Sequence, residues 1–124
     1  MHRVWIVFAA LAGGFSVAAG AMVAHGASDP RAAALLGIGA QYGLVHAVAL
    51  VALTALRGRA GGFAERLLEV AAWAFVAGLV LFSGSLFALA LTGAAVLGTA
   101  TPFGGTSFLL GWATLLLYAW KAAR

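Results

Sequence analysis

The stretch that decides the fold is residues 70–120, which read VAAWAFVAGLVLFSGSLFALALTGAAVLGTATPFGGTSFLLGWATLLLYAW. These 51 residues contain no Asp, Glu, Lys or Arg, whereas about a quarter of the residues in a soluble domain are charged. One helical crossing of the hydrocarbon core takes about 20 residues, so the stretch is too long for a single crossing. We therefore expect the chain to cross a membrane and return within it.

The composition of the whole chain supports a membrane protein, since 65% of its 124 residues are hydrophobic and 8% are charged. Hydropathy predicts four spans, at about 4–24, 37–56, 67–91 and 104–120. The connections are short, so we predict one all-α domain over residues 1–124, an integral membrane four-helix bundle. We expect the first block to be a span and not a cleaved signal peptide, because its apolar run exceeds the ~7–15 residues of a signal peptide.

The basic residues predict the orientation. With four spans, the side that carries both termini and the 57–66 connection has every Lys and Arg except Arg31. The positive-inside rule then places both termini in the cytoplasm or the equivalent interior compartment. The net charge of +4 suits anionic lipid headgroups better than nucleic acid. Four aromatic residues that we expect to anchor the spans at this headgroup level are Trp5, Trp73, Tyr118 and Trp120.

Small residues recur on every span and predict close approach of the helices. Lipid tails are as apolar as Leu, so packing of small residues must contribute to helix association. The predicted packing glycines are Gly20, Gly39, Gly43, Gly78, Gly84 and Gly111. Their faces serve packing within the bundle, or association with further copies or a larger partner.

Polar side chains within the spans are few, and one His and two hydroxyls share a layer in the outer half. The candidate polar pocket consists of Ser16, Tyr42, His46, Ser83 and Ser85. At 1.5 Å per residue, His46 lies about 13 Å inside the outer surface, and Ser16 and Ser83 about 12 Å. The helical period places Tyr42, Gly43 and His46 on the inward face of the second span.

His46 has two interpretations. It is either a neutral imidazole hydrogen-bonded to Ser83, Ser16 or a carbonyl, or a contact for a ligand, proton or metal in an outward-facing pocket. A pair of haem ligands is excluded, because His25 lies about a dozen ångströms shallower. We predict no metal and no cofactor.

The outer loops contain a second group of candidate residues, namely His25, Thr101, Pro102, Gly104 and Gly105. Thr101-Pro102 is typical of a turn that starts a helix. The two glycines leave the first backbone donors of that helix accessible, which can attract an anion or a headgroup phosphate. Tight packing is the other interpretation.

Four motifs together resemble a known family: residues 20–26 (GAMVAHG), 42–47 (YGLVHA), 81–92 (LFSGSLFALALT) and 101–105 (TPFGG). The chain is similar over nearly its whole length to the small bacterial membrane proteins of domain of unknown function 423, whose eukaryotic relatives are called transmembrane protein 256. It departs from them at Gly43, where relatives often carry Gln. The resemblance implies a four-helix integral membrane protein of the bacterial inner membrane, with both termini inside, and brings no reaction, substrate or cofactor.

For function, we expect no catalytic activity, because the sequence shows no nucleophile with a base and no set of metal ligands. The leading hypothesis is a structural or accessory protein that packs against a larger membrane assembly or against itself. Its partners are then the lipid bilayer and other membrane subunits or further copies. The alternative is binding or transport of a small molecule, ion or lipid through the pocket around His46.

Overall fold

Four apolar helical stretches make up the protein. The computed structural model describes residues 2–26 and 29–124, and within these it contains helices and turns but no strand. The α-helices are α1 (His2–His25), α2 (Pro30–Leu56), α3 (Gly62–Gly78), α4 (Ser85–Thr92) and α5 (Thr101–Ala122). Four stretches are long and apolar enough to cross a membrane: His2–His25, Pro30–Leu56, Gly62–Thr92 and Ala95–Ala122. The prediction of an all-α protein with four helical stretches long and apolar enough to span a membrane is confirmed for the described residues.

The second helix starts well before the predicted span at residue 37. The Asp29 carboxylate caps α2 by accepting a hydrogen bond from the Arg31 backbone N–H at 3.1 Å. Pro30 occupies the first turn, where its missing N–H is not needed. Residues 32–36 are Ala and Leu, so the apolar run itself reaches back almost to the capped start and the predicted beginning at residue 37 was too late.

The third span contains a segment that its uniform apolar pattern does not indicate. Leu79–Gly84 is π-helical and joins α3 to α4. A π-helical turn is rare and changes the direction in which the following side chains point. Here Ser83 lies against Gly43 of α2, and Ser85 contacts Thr101 at the start of α5.

Phenyl rings pack directly against glycines where the helices meet. Three such pairs join different parts of the bundle: Gly39 with Phe87, Gly78 with Phe108, and Gly111 with Phe75. A Cβ on Gly111 would lie 2.5 Å from Cδ1 of Phe75, which is far inside van der Waals contact. Because a ring occupies the space that a side chain would fill, these glycines let the helices approach closely.

Gly20 and Gly84 differ from the other predicted packing glycines. Gly20 is exposed, and a Cβ there would meet nothing within 4 Å. Steps of four residues drift around a helix with 3.6 residues per turn, so the buried face of α1 passes from Ser16 to Ala19 and leaves Gly20 outside. A Cβ on Gly84 would come nearest to the Leu79 carbonyl oxygen of the same span, at 3.5 Å, and would meet no other helix among the described residues within 4 Å.

Trp5 is a core residue, so the prediction that it anchors α1 at the headgroups is wrong. It is 0% exposed, and its ring packs edge-on against Trp73 at 6.3 Å between centroids. The Arg57 guanidinium lies 5.0 Å above the Trp5 ring and also pairs with Glu69 at 3.4 Å. A second carboxylate, Glu65, accepts the Gly58 N–H at 3.1 Å. The α2–α3 connection is thereby fixed over the start of α1.

Candidate functional site

His46 is buried on α2, and both of its ring nitrogens have hydrogen-bond partners. Nδ1 donates to the Tyr42 backbone carbonyl at 2.7 Å, one helical turn earlier. The Trp112 indole Nε1–H of α5 donates to Nε2 at 3.0 Å. A carbonyl only accepts and an indole only donates, so this pattern requires a neutral imidazole with its proton on Nδ1. His46 thus joins α2 to α5.

Aromatic rings enclose the imidazole. Phe108 stacks on it at 3.6 Å between centroids, with the planes 10° apart, and Phe75 meets its edge at 5.3 Å. These contacts fix the plane of the ring and direct Nε2 towards Trp112. A metal or ligand that binds Nε2 must first displace the indole.

Tyr42 lies at the edge of the bundle and not on its inward face. Its side chain is 44% exposed, and its ring lies 5.0 Å from that of Phe82. A rotation of about 40° separates residues four positions apart on a helix, which carries Tyr42 off the face that buries His46. Between Tyr42 and Trp112 a groove of about 410 Å³ opens to the outside, and Gly105 lines it.

Ser16 and Ser83 meet over Gly43 in the centre of the bundle. Ser16 is 0% and Ser83 2% exposed, and neither hydroxyl has a hydrogen-bond partner among the described residues. A Cβ on Gly43 would collide with the Ser16 hydroxyl and lie 3.4 Å from that of Ser83. A side chain such as Gln does not fit there with the two serines in these positions. An unbonded buried hydroxyl costs about 1–3 kcal/mol, so this pair is an unfavourable feature of the core.

Ser85 belongs to a separate contact at the outer end. Its hydroxyl donates to the Phe82 carbonyl at 2.9 Å, and its oxygen lies 2.7 Å from that of Thr101. Thr101 and Pro102 start α5, and Gly104 lies directly on the backbone of Phe82. The predicted pocket residues thus fall into three places: the His46 bridge, the Ser16–Ser83 pair and the Ser85–Thr101 contact.

His25 lies apart from all three places. It ends α1 and lines a shallow groove with residues of the same chain segment, Ala21, Met22 and Gly26. The N–H of Gly104 bonds to the Ala100 carbonyl at 3.2 Å, so this donor of the α5 start is already occupied. Tight packing therefore describes Gly104 better than an exposed anion site does.

Sequence reasoning missed Trp112, although a signal for it exists. An indole N–H in the middle of an apolar span needs an acceptor, and His46 is the one imidazole within the four predicted spans. Phe75 and Phe108 have no comparable signal, because many apolar residues at these positions satisfy the hydropathy pattern equally well.

These features define the class: a helical membrane protein in which buried side-chain contacts, His46 with Trp112 and Ser85 with Thr101, join different spans. Within that class the chain belongs to the family described as protein of unknown function DUF423, whose sequence profile matches residues 19–105. This confirms the resemblance seen in the four motifs.

Full-length relatives show the same membership. A UPF0382 membrane protein of Haemophilus influenzae is 37% identical over 125 residues, which cover 98% of each chain. The UPF0382 membrane protein YwdK of Bacillus subtilis is 34% identical over 96% of this chain and 98% of its own. The UPF0382 inner membrane protein YgdD of Escherichia coli K12 is 36% identical over 98% of this chain and 93% of its own. No solved structure matches the chain.

Proposed function

We propose that this protein is a non-catalytic structural protein of the bacterial inner membrane that associates with another transmembrane helix through the outer face of α1. The proposal rests on how unevenly the residues of α1 are buried. Only four of its residues are buried, namely Trp5, Ala9, Ser16 and Ala19. At about 100° per residue these share one face, which packs onto α2 and α3.

The opposite face of α1 carries a row of small residues, with the larger exposed side chains of Val7, Leu11 and Val17 beside them. Ala10, Gly14, Ala18 and Ala21 are all exposed, and a Cβ on Gly14 would meet nothing within 4 Å. Large side chains fill lipid-facing surface equally well, whereas small ones let a second helix backbone approach. The face therefore suits another helix better than it suits lipid.

The geometry favours a second copy of this chain as the occupant. Ala10 and Ala18 flank Gly14 at equal distances of four residues, so the face is self-complementary about Gly14. A twofold axis there places Gly14 of one copy against Gly14 of the other, as in an isologous dimer. A helix of another membrane protein is the competing occupant.

Gly14→Leu is expected to weaken this association at least tenfold, because the larger side chain separates the two backbones. The chain contains no Cys, so single introduced cysteines carry fluorophores for energy transfer between copies in liposomes. The matched control is Gly20→Leu, which makes the same change about 120° away on an equally open position. Equal dimerisation of wild type and both variants would contradict the proposed face. If the wild type is monomeric, and a partner protein co-purifies with it but not with Gly14→Leu, the face belongs to that partner.

We propose that both termini lie in the cytoplasm, because the side of the bundle that carries them has every Lys and Arg except Arg31. A membrane-impermeant maleimide should label Thr99→Cys in spheroplasts and leave Arg124→Cys unlabelled until the membrane is opened. Both positions are exposed at opposite ends of the fourth span. The reverse labelling pattern would invert the proposed orientation.

A further inference from the structure

A groove opens towards the lipid beside the two unbonded hydroxyls. It lies between α1 and the π-helical segment, has a volume of about 260 Å³, and Ser83 lines it. Phenyl rings of Phe8, Phe15 and Phe87 line it together with the aliphatic side chains of Leu11, Ala12, Leu79 and Val80. This groove lies on a different side of α1 from the small-residue face around Gly14.

We propose that this groove binds the ring of a membrane quinone, with a ring carbonyl accepting a hydrogen bond from Ser83. In the structure the Ser83 hydroxyl faces Gly43, behind the groove. One rotation of the serine side chain between staggered rotamers turns the hydroxyl towards the groove. A single acceptor in the groove thus completes the hydrogen bonding of Ser83.

Three features select the chemistry of the ligand. The lining residues carry no charge, so a charged ligand would enter the membrane interior without a counter-ion. The one polar side chain that lines the groove is the Ser83 hydroxyl, which lacks an acceptor and so favours a ligand with a carbonyl oxygen. Three phenyl rings in the lining favour a flat conjugated ring over a flexible acyl chain, because aromatic rings stack and meet edge to face.

The π-helical segment supports the same site. Ser83 and Gly84 both belong to it and both line the groove. Single π-helical turns within α-helices frequently occur at functional sites. Here the irregular turn carries a hydroxyl beside an otherwise apolar groove.

The test uses the full-length protein in dodecyl maltoside and decylubiquinone as the probe. Saturating probe is expected to raise the unfolding temperature, since a ligand that binds only the folded state stabilises it. A matched probe, 1-decanoylglycerol, has a neutral ester and a chain of similar length, and it should give no comparable shift. Equal stabilisation by both probes, or by neither, would overturn the proposal.

Two variants locate the site. Ser83→Ala should raise the dissociation constant of decylubiquinone at least about fivefold through the lost hydrogen bond, while the probe-free protein unfolds at a higher temperature because the unbonded hydroxyl is gone. Ala12→Leu fills the groove and should abolish binding even if Ser83→Ala folds poorly. The control is Ser107→Ala, whose hydroxyl donates to the Ala74 carbonyl at 2.8 Å outside the groove. Wild-type affinity in both groove variants would refute the site, and dimerisation through Gly14 does not affect this comparison.

Discussion

Replacing Gly104 with Ala is expected to lower the free energy of unfolding by about 3 kcal/mol, at the upper end of the range for overpacked cores. A Cβ at this position would collide with the backbone nitrogen of Phe82 and lie 2.6 Å from the carbonyl carbon of Leu81. A side chain can rotate away from such a contact, but a backbone cannot. The start of α5 must then move away from the π-helical segment, which also stretches the 2.7 Å contact between Ser85 and Thr101.

The measurement is reversible unfolding in mixed micelles of dodecyl sulfate and a nonionic detergent. Gly20→Ala is the matched control, because it adds the same methyl group to a helix position with open space around it. Ala favours a helix over Gly by up to about 1 kcal/mol, so the control should be neutral or stabilising. The two identical substitutions thus have opposite expected signs. A Gly104→Ala variant as stable as the Gly20→Ala variant would contradict the close approach of α5 to Phe82.

The packing glycines show which features of helix packing a sequence pattern can predict. Gly39, Gly43, Gly78 and Gly111 were predicted at helix contacts from their spacing, and the structure places each against another helix. What they contact was not predictable in the same way. A ring such as Phe108 finds Gly78 only through the relative height and rotation of two helices, and local periodicity contains neither quantity.

The same reason explains the error at Trp5. Hydropathy places an aromatic residue near the end of a span, and end positions often lie at the headgroups. Whether the ring faces lipid or a neighbouring helix depends on the packing of α1 on α3. In the structure Trp73 and Arg57 cover Trp5 from two sides, which removes it from the surface.

The sequence predicted the depth that some polar residues share, but it did not predict which side chains contact each other. Ser16 and Ser83 do lie close together over Gly43, as their equal depths suggest. Ser85 contacts Thr101, which lies 16 residues later in the chain beyond a turn of 3₁₀ helix, Ala95–Thr99. His46 bonds to neither serine, because Gly43 brings Ser16 against the helix backbone and leaves the imidazole free to face α5.

His46→Ala is expected to lower the free energy of unfolding by about 3 kcal/mol, through the cavity that the ring leaves and the lost partner of an indole N–H. The imidazole stacks on Phe108 and accepts the Trp112 hydrogen bond at 3.0 Å, so its removal affects α2 and α5 together. To separate these terms, His46→Phe keeps a ring but removes the acceptor, and Trp112→Phe removes the donor. The double variant has neither the donor nor the acceptor, so no polar group is left without its partner. Its loss of unfolding free energy should therefore be smaller than the sum of the two single losses by about 1 kcal/mol.

Trp120→Phe is the control for the indole, since Trp120 is 62% exposed near the end of α5 and its replacement should change stability by less than about 0.5 kcal/mol. The nitrogen chemical shifts of the imidazole provide an independent measurement. They should report a neutral ring protonated on Nδ1, as the bond to the Tyr42 carbonyl requires. Additive losses in the double variant, or a ring protonated on Nε2, would show that Trp112 does not bond to His46. Nε2 would then be open to a ligand from the groove beside Tyr42, because the indole is the group that now occupies it.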